Sequence, residues 1–269
     1  MLLSALPLPK AQIKEWIIYQ GENMNNTYTL QHTIRYSEVD SFYKLRLDHI
    51  FSHFQNIADL HSKEMGTDGE ALLQKSNVFW VLTKMKLKAA EFPKSGETIT
   101  VETWPLKAKG VRFDRDFKLS NKDKVFVMGS SEWCTLDYTT QKLRRVDSVA
   151  YPHDMPFRED RSGAGDMLRI KETVNDTDLH HTYRSSFVDI DTNKHTNNVA
   201  YLRMVLNCFS PDEFEATKID EFQINFLSQT FYGDEIKVYK KKTDYGIFIA
   251  GKHNGIAVFN CFVISAKAQ

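Results

Sequence analysis

The chain repeats its own pattern at about half its length, and this repeat limits the available folds more than any other feature. Glu38-Val39-Asp40-Ser41 and Asp189-Ile190-Asp191-Thr192 each stand just before a run with helical spacing. Gly96-Glu97-Thr98-Ile99 and Gly233-Asp234-Glu235-Ile236 each open a later, extended run. In the first half, 28–35 reads as a strand. Leu47, Ile50, Phe51, Phe54, Ile57, Ala58 and His61 then recur at three- and four-residue steps, the mark of an amphipathic helix. Its polar face carries Asp48, His53 and Asp59, and Gly66 is its stop. Strand-like runs follow over 78–87, 98–104, 111–119 and 125–138, with breakers at 93–96, 105–110 and 120–124. The second half repeats the order: a strand over 181–188, a helix over 197–209, and strands over 218–227, 235–242, 245–252 and 257–265. The stretch 145–178 is polar, rich in Pro, Gly and Asp, and reads as the connection. One repeat of this length argues a duplicated domain, since a solenoid needs shorter and more numerous units. A long helix followed by an antiparallel meander is an α+β unit, the helix burying one face of the sheet.

Composition agrees with an ordinary globular protein: 42% of the 269 residues are apolar and 26% charged. Lys plus Arg equals Asp plus Glu at 35 each, so no bulk field draws the chain to nucleic acid. No apolar run approaches the roughly 20 residues of a membrane helix. The Leu-rich opening, 1–11, lacks the basic start of a secretory signal and reads as an extension, with Met24 as an alternative start. Cys134, Cys208 and Cys261 are odd in number and widely spaced, which predicts reduced thiols in the cytoplasm.

The sharpest local feature is Asp191-Thr192-Asn193-Lys194-His195-Thr196-Asn197-Asn198, between a strand and a helix. Asp191, Asn193 and His195 alternate, so an extended loop would aim all three to one side. Thr196 or Asn197 can cap the following helix, whose free amides could hold an oxyanion. Thioester hydrolysis needs such parts: a carboxylate to take a proton from water, an amide to orient, an imidazole to relay. An Asx-rich turn that merely caps a helix uses the same residue types.

Asp-x-Asn-x-His-x-Asn-Asn before an apolar helix resembles the catalytic segment of the acyl-acyl carrier protein thioesterases of plants and bacteria. The resemblance continues through Phe79-Trp80-Val81-Leu82-Thr83-Lys84-Met85, Val101-Glu102-Thr103-Trp104, Arg112-Phe113-Asp114-Arg115-Asp116, Ser130-Ser131-Glu132-Trp133 and Lys142-Leu143-Arg144-Arg145, in the family's order. It implies a tandem (double) hotdog, each unit a long helix on an antiparallel sheet, the two sheets joined as a pseudo-dimer. The implied division is an extension over 1–26, an N-terminal hotdog over 27–145 that shapes the acyl tunnel, a linker over 146–180, and a catalytic C-terminal hotdog over 181–269. It implies a fatty acyl-acyl carrier protein as substrate; no cofactor and no metal are expected, and a monomer and a homodimer are both open. Asp191 is then the base or water-orienting carboxylate, with Asn193 and His195 positioning substrate and water. The family's later glutamate, followed by Cys in the plant enzymes, falls at Gln229 and Thr230. Gln229 can orient water but cannot accept its proton, and no cysteine nucleophile stands there. An acyl-CoA thioesterase and a non-catalytic acyl-binding protein remain open alternatives.

The other features have plainer readings. Cys208 falls on the apolar side of the second helix and reads as core packing. His180 and His181 are adjacent on a strand and should point opposite ways, which argues against a metal pair. Lys240-Lys241-Lys242 and Lys142, Arg144 and Arg145 read as solvated faces, with docking of an acidic carrier protein as the alternative. Ile50, Phe51, Phe54 and Ile57 are expected to line or back the acyl tunnel.

Overall fold

The computed structural model describes residues 26–265; the Leu-rich opening and Met24 lie outside the described residues. In the first half β1 (Tyr28–Thr33) leads through a 3-10 turn (Tyr36–Glu38) into α1 (Leu47–Glu64) and a short α2 (Gly69–Ser76). Strands β2 (Val78–Ala89), β3 (Thr98–Pro105), β4 (Phe113–Ser120) and β5 (Val125–Asp137) follow. The second half repeats this with β6 (Leu179–Arg184), a 3-10 turn (Phe187–Asp189), α3 (Asn198–Leu206) and α4 (Pro211–Thr217). It closes with β7 (Ile219–Phe226), β8 (Glu235–Thr243), β9 (Gly246–His253) and β10 (Ile256–Ser265).

The strands form one ten-stranded sheet in the order β1-β3-β4-β5-β2-β7-β10-β9-β8-β6. The halves meet where β2 pairs antiparallel with β7, from Lys84↔Asn225 to Lys88↔Glu221. The fold is therefore the α+β double hotdog, with the seam inside a single chain. Helix α1 lays Ile50, Phe51, Phe54 and Ile57 on the sheet, all fully buried. Phe54 stacks on Phe117 at 4.7 Å and lies so close to Gly129 that a Cβ there would sit 2.5 Å from its ring. Phe51 meets Phe222 of β7 edge-on at 5.6 Å, so one apolar core runs through both halves.

Three boundaries differ from the periodicity reading. Periodicity misses α2 and α4 because they are short; each is held instead by its cap, Asp68 accepting from the Glu70 and Ala71 amides and Ser210 from Glu213, with Pro211 in the first turn. The helix expected over 197–209 ends early, as α3 at Leu206, and α4 begins only after it, at Pro211. The strands expected over 28–35 and 181–188 end early, at Thr33 and Arg184. In both, a carboxylate folds the chain into a turn: Glu38 Oε2 accepts from the Arg35 amide (2.7 Å), and Asp189 Oδ2 from the Ser186 amide (2.9 Å).

The connection is not a passive tether. Asp116 neighbours Phe117, which faces α1, so its carboxylate points through the other face of the sheet. There it accepts from Arg161 Nε (2.9 Å), the Ser162 amide (2.7 Å) and Ser130 Oγ (2.7 Å). Farther along, Gln223 of β7 exchanges two hydrogen bonds with the Leu168 backbone (2.6 and 2.9 Å). Val174, Leu168 and Ile170 pack on Tyr239, Phe248 and Phe262. Residues 179 and 180, expected in the linker, already belong to β6.

Candidate active site

The loop before α3 is a tight turn rather than an extended segment. Asp191 Oδ1 accepts from the backbone amides of Asn193 (2.8 Å) and His195 (3.1 Å). The Asp191 amide donates to the His195 carbonyl and the Lys194 amide to the Asp191 carbonyl, with Lys194 at φ 65°. Asn197 is the helix cap, its Oδ1 accepting from the Val199 amide at 2.8 Å. Beneath the turn runs a chain of buried hydroxyls: Ser185 to Thr196 (3.0 Å), Thr196 to Thr230 (2.8 Å), and Thr230 to Tyr201 (2.9 Å). The Thr196 amide also donates to the Thr230 carbonyl. The loop is thus pinned at both ends, as precise positioning of a reacting group requires.

The first half holds the same turn. Asp40 Oδ1 accepts from the amides of Phe42 (2.8 Å) and Lys44 (3.0 Å), and Tyr43 has φ 61°. The aspartate is therefore common to both copies and builds the turn in each. What distinguishes the second copy is Asn193, His195 and Asn198, where the first has Phe42, Lys44 and Leu47.

A cavity of about 280 Å³ lies against the second turn. Asp191, Asn193 and Asn198 border it from the second half. The first half supplies the rest, with Gln55, Ala58 and Ser62 from α1, Leu82 and the aromatic rings of Trp80, Phe113, Trp133 and Tyr151. Ile50, Phe51, Phe54 and Ile57 do not border it; the helix turns that apolar face to the sheet and offers the cavity its polar flank. A second hollow of about 240 Å³ shares Gln55 and lies against Val188, Asn197 and Arg203.

The alternation of Asp191, Asn193 and His195 predicts one shared direction, and the turn breaks it. Asp191 and Asn193 reach the cavity; His195 does not border it and packs edge-on to Phe231, ring centres 5.3 Å apart. Gln229 is exposed in the segment after β7, outside the lining, while Thr230 is buried in the hydroxyl chain. Sequence reasoning also missed the charged groups on the cavity wall. Arg115 is buried and, among the described residues, has no carboxylate partner; Nη1 donates to His61 Nδ1 (2.9 Å) and Thr103 Oγ1 (3.3 Å). Burial pushes its guanidinium down to about 10 and the Tyr151 phenol up to about 12. Asp114 is raised by burial in spite of Arg112 at 3.1 Å. The signal for Arg115 was available: in Phe113-x-Arg115-x-Phe117 a charge shares the period-two face of two aromatics.

Elsewhere, His180 and His181 do not diverge as adjacent strand residues should. A register shift in β6 between Leu179 and His181 brings their Nδ1 atoms to 3.0 Å, with Cys208 Sγ 4.0 Å from His181 Nδ1. Burial pushes the Cys208 thiol up to about 12, so it is protonated core rather than nucleophile. Of the basic clusters, Lys240 pairs with Glu213, Lys241 with Glu172, Arg144 with Asp137 and Arg145 with Asp147.

Residues 25–151 match the family described as the acyl-ACP thioesterase N-terminal domain, and residues 172–262 match its C-terminal domain. The chain is 24% identical over 186 residues to the chloroplastic palmitoyl-acyl carrier protein thioesterase of Gossypium hirsutum, covering 65% of this chain and 45% of that protein. It is 20% identical over 227 residues to the chloroplastic oleoyl-acyl carrier protein thioesterase of Coriandrum sativum, covering 78% and 61%. The chain spans about half the length of the curated relatives it matches. In fold it is similar to an acyl-ACP thioesterase from Bacteroides thetaiotaomicron, with a TM-score of 0.82, 24% identity and coverage of 90% and 98%. The 12:0-ACP thioesterase from Umbellularia californica gives a TM-score of 0.79 at 16% identity, covering 92% and 99%. With both halves matched in order over most of its length, the chain belongs to the acyl-ACP thioesterase family.

Proposed function

We propose that this protein hydrolyses fatty acyl-acyl carrier protein to free fatty acid and the carrier thiol, as a step of fatty acid biosynthesis. The observation that carries this reading is the divergence of the two loop copies. Both aspartates build a turn, but only the second turn sets amides, Asn193 and Asn198, around an aromatic-walled cavity. The first half is then the acyl tunnel, and the second half the seat of the chemistry. Asp191 commits Oδ1 to the turn and leaves Oδ2 to take a proton from water. The water oxygen attacks the thioester carbon and the carbon–sulfur bond breaks. The sulfur leaves with the electron pair and takes up the proton that Asp191 removed from water, giving the carrier thiol and an ionised Asp191. Asn193 and the amide end of α3 steady the carbonyl oxygen as its charge grows. His195, beside Phe231 and outside the cavity lining, is given only a positioning role, and Gln229 is given no proton to carry. The three free cysteines support a reducing compartment such as the cytoplasm.

The test is turnover of acyl-carrier-protein and acyl-CoA thioesters, short to long, by wild type, Asp191→Asn and Asn193→Ala. Carrier-protein thioesters are expected to be preferred, and each variant to lose about 100-fold or more in kcat with unchanged unfolding. Undiminished turnover by both folded variants would remove the site. Preference for CoA thioesters would favour an acyl-CoA hydrolase. Fatty-acid binding without turnover would favour a receptor.

A further inference from the structure

From the first strand into the helix the two halves lie at a constant offset of 151 residues, Tyr28 with Leu179, Tyr36 with Phe187, Leu47 with Asn198. One copy is therefore a control for the other. At this offset His32 pairs with Tyr183, Glu38 with Asp189, and His53 with Met204. In both halves the carboxylate accepts from the turn amide and from the strand side chain: His32 Nε2 to Glu38 Oε2 at 2.7 Å, Tyr183 Oη to Asp189 Oδ2 at 2.9 Å. That pair is scaffold. The third member is not. Where the second half packs a fully buried Met204, the first half puts His53, whose buried Nε2 lies 3.3 Å from Glu38 Oε1 without an aligned hydrogen bond.

We propose that His32, Glu38 and His53 form a zinc-class divalent cation site, bound through both Nε2 atoms and a Glu38 oxygen. The three ligand atoms lie within 4.8 Å of one another. Metal bonds of ~2.0–2.2 Å at tetrahedral to right angles separate neighbouring ligands by ~2.8–3.6 Å. His53 Nε2 lies 3.3 Å from Glu38 Oε1, and His32 Nε2, 2.7 Å from Oε2, need open by only a few tenths of an ångström (~0.1–0.5 Å). Two imidazoles and a carboxylate without thiolate suit zinc. The Arg35 amide on Glu38 is the outer contact that fixes a ligating carboxylate. The side chains are only 12–19% exposed. Binding moves the His32 proton from Nε2 to Nδ1 and needs no other chemistry. None of the three borders the cavity, so the ion would clamp edge strand β1 to α1 independently of hydrolysis.

The experiment uses the whole chain stripped with EDTA and titrated with zinc, read by calorimetry and thermal unfolding. Wild type is expected to bind one zinc and unfold at higher temperature. His53→Met and His32→Tyr, each the residue the second half carries, should weaken binding by more than the ~10–100-fold of an outer contact and leave turnover unchanged. Cys208→Ser tests the rival His180–His181–Cys208 cluster and should bind zinc as wild type does. The cobalt form should lack thiolate charge-transfer absorption. Absence of zinc binding, binding that survives both His53→Met and His32→Tyr, or binding lost in Cys208→Ser would overturn the site.

Discussion

Asp40 and Asp191 accept the same pair of backbone bonds, which allows turn-building to be separated from chemistry. A carboxylate accepting backbone bonds contributes about 1.5–3 kcal/mol. Asp40→Ala and Asp191→Ala are therefore expected to lower stability by similar amounts in denaturant titrations, while only Asp191→Ala loses hydrolysis. Equal activity in the two would mean that Asp191 is scaffold alone. His53 gives a pH prediction for the metal-free protein. Burial, with His32 and His49 adding and Glu38 opposing, lowers it from 6.5 to about 4. The unfolded chain then binds the extra proton between these values. Its contribution is intact above pH 6.5 and is lost as pH falls toward 4, on the order of 3 kcal/mol at 1.36 kcal/mol per unit. His53→Met should remove that part of the slope, measured by unfolding at each pH. At this scale the polar, alternating loop before a helix pointed to the segment that meets the cavity at Asp191 and Asn193. That His195 does not share their direction follows from a turn closed by hydrogen bonds that spacing does not reveal, and Gln229 stands exposed in the segment after β7.

Helix α1 was legible in period and length, yet its two flanks serve different ends. The apolar flank is core; the flank carrying Gln55, Ala58 and Ser62 borders the cavity. Phe54→Ala is accordingly expected to cost about 3–5 kcal/mol and to leave acyl-chain preference as it is. Ala58→Phe, growing into the cavity, should shift preference to shorter chains. Unfolding curves and the chain-length profile of both variants decide this. A shortened preference in Phe54→Ala, or an unchanged one in Ala58→Phe, would put the chain elsewhere. Helices α2 and α4 escaped because a helix of two turns is held by its cap and its neighbours more than by a periodic stripe.

At the scale of the molecule the duplication supplies a partner within the chain. β2 and β7 each cover the edge the other would expose, and Phe51 reaching Phe222 makes the core common to both halves. The linker seals the far face by hydrogen bonds to Asp116 and Gln223. The sequence by itself determined the repeat, the order of the strands and the longer helix of each half, and the α+β class, because side-chain periodicity is local and records which face of each element is buried. Only the tertiary structure decided that the polar flank of α1 walls the cavity, that Arg115 lies on that wall with no carboxylate partner among the described residues, and that His53 meets Glu38. Those facts depend on distances between residues far apart in the chain, which packing sets and no local pattern encodes.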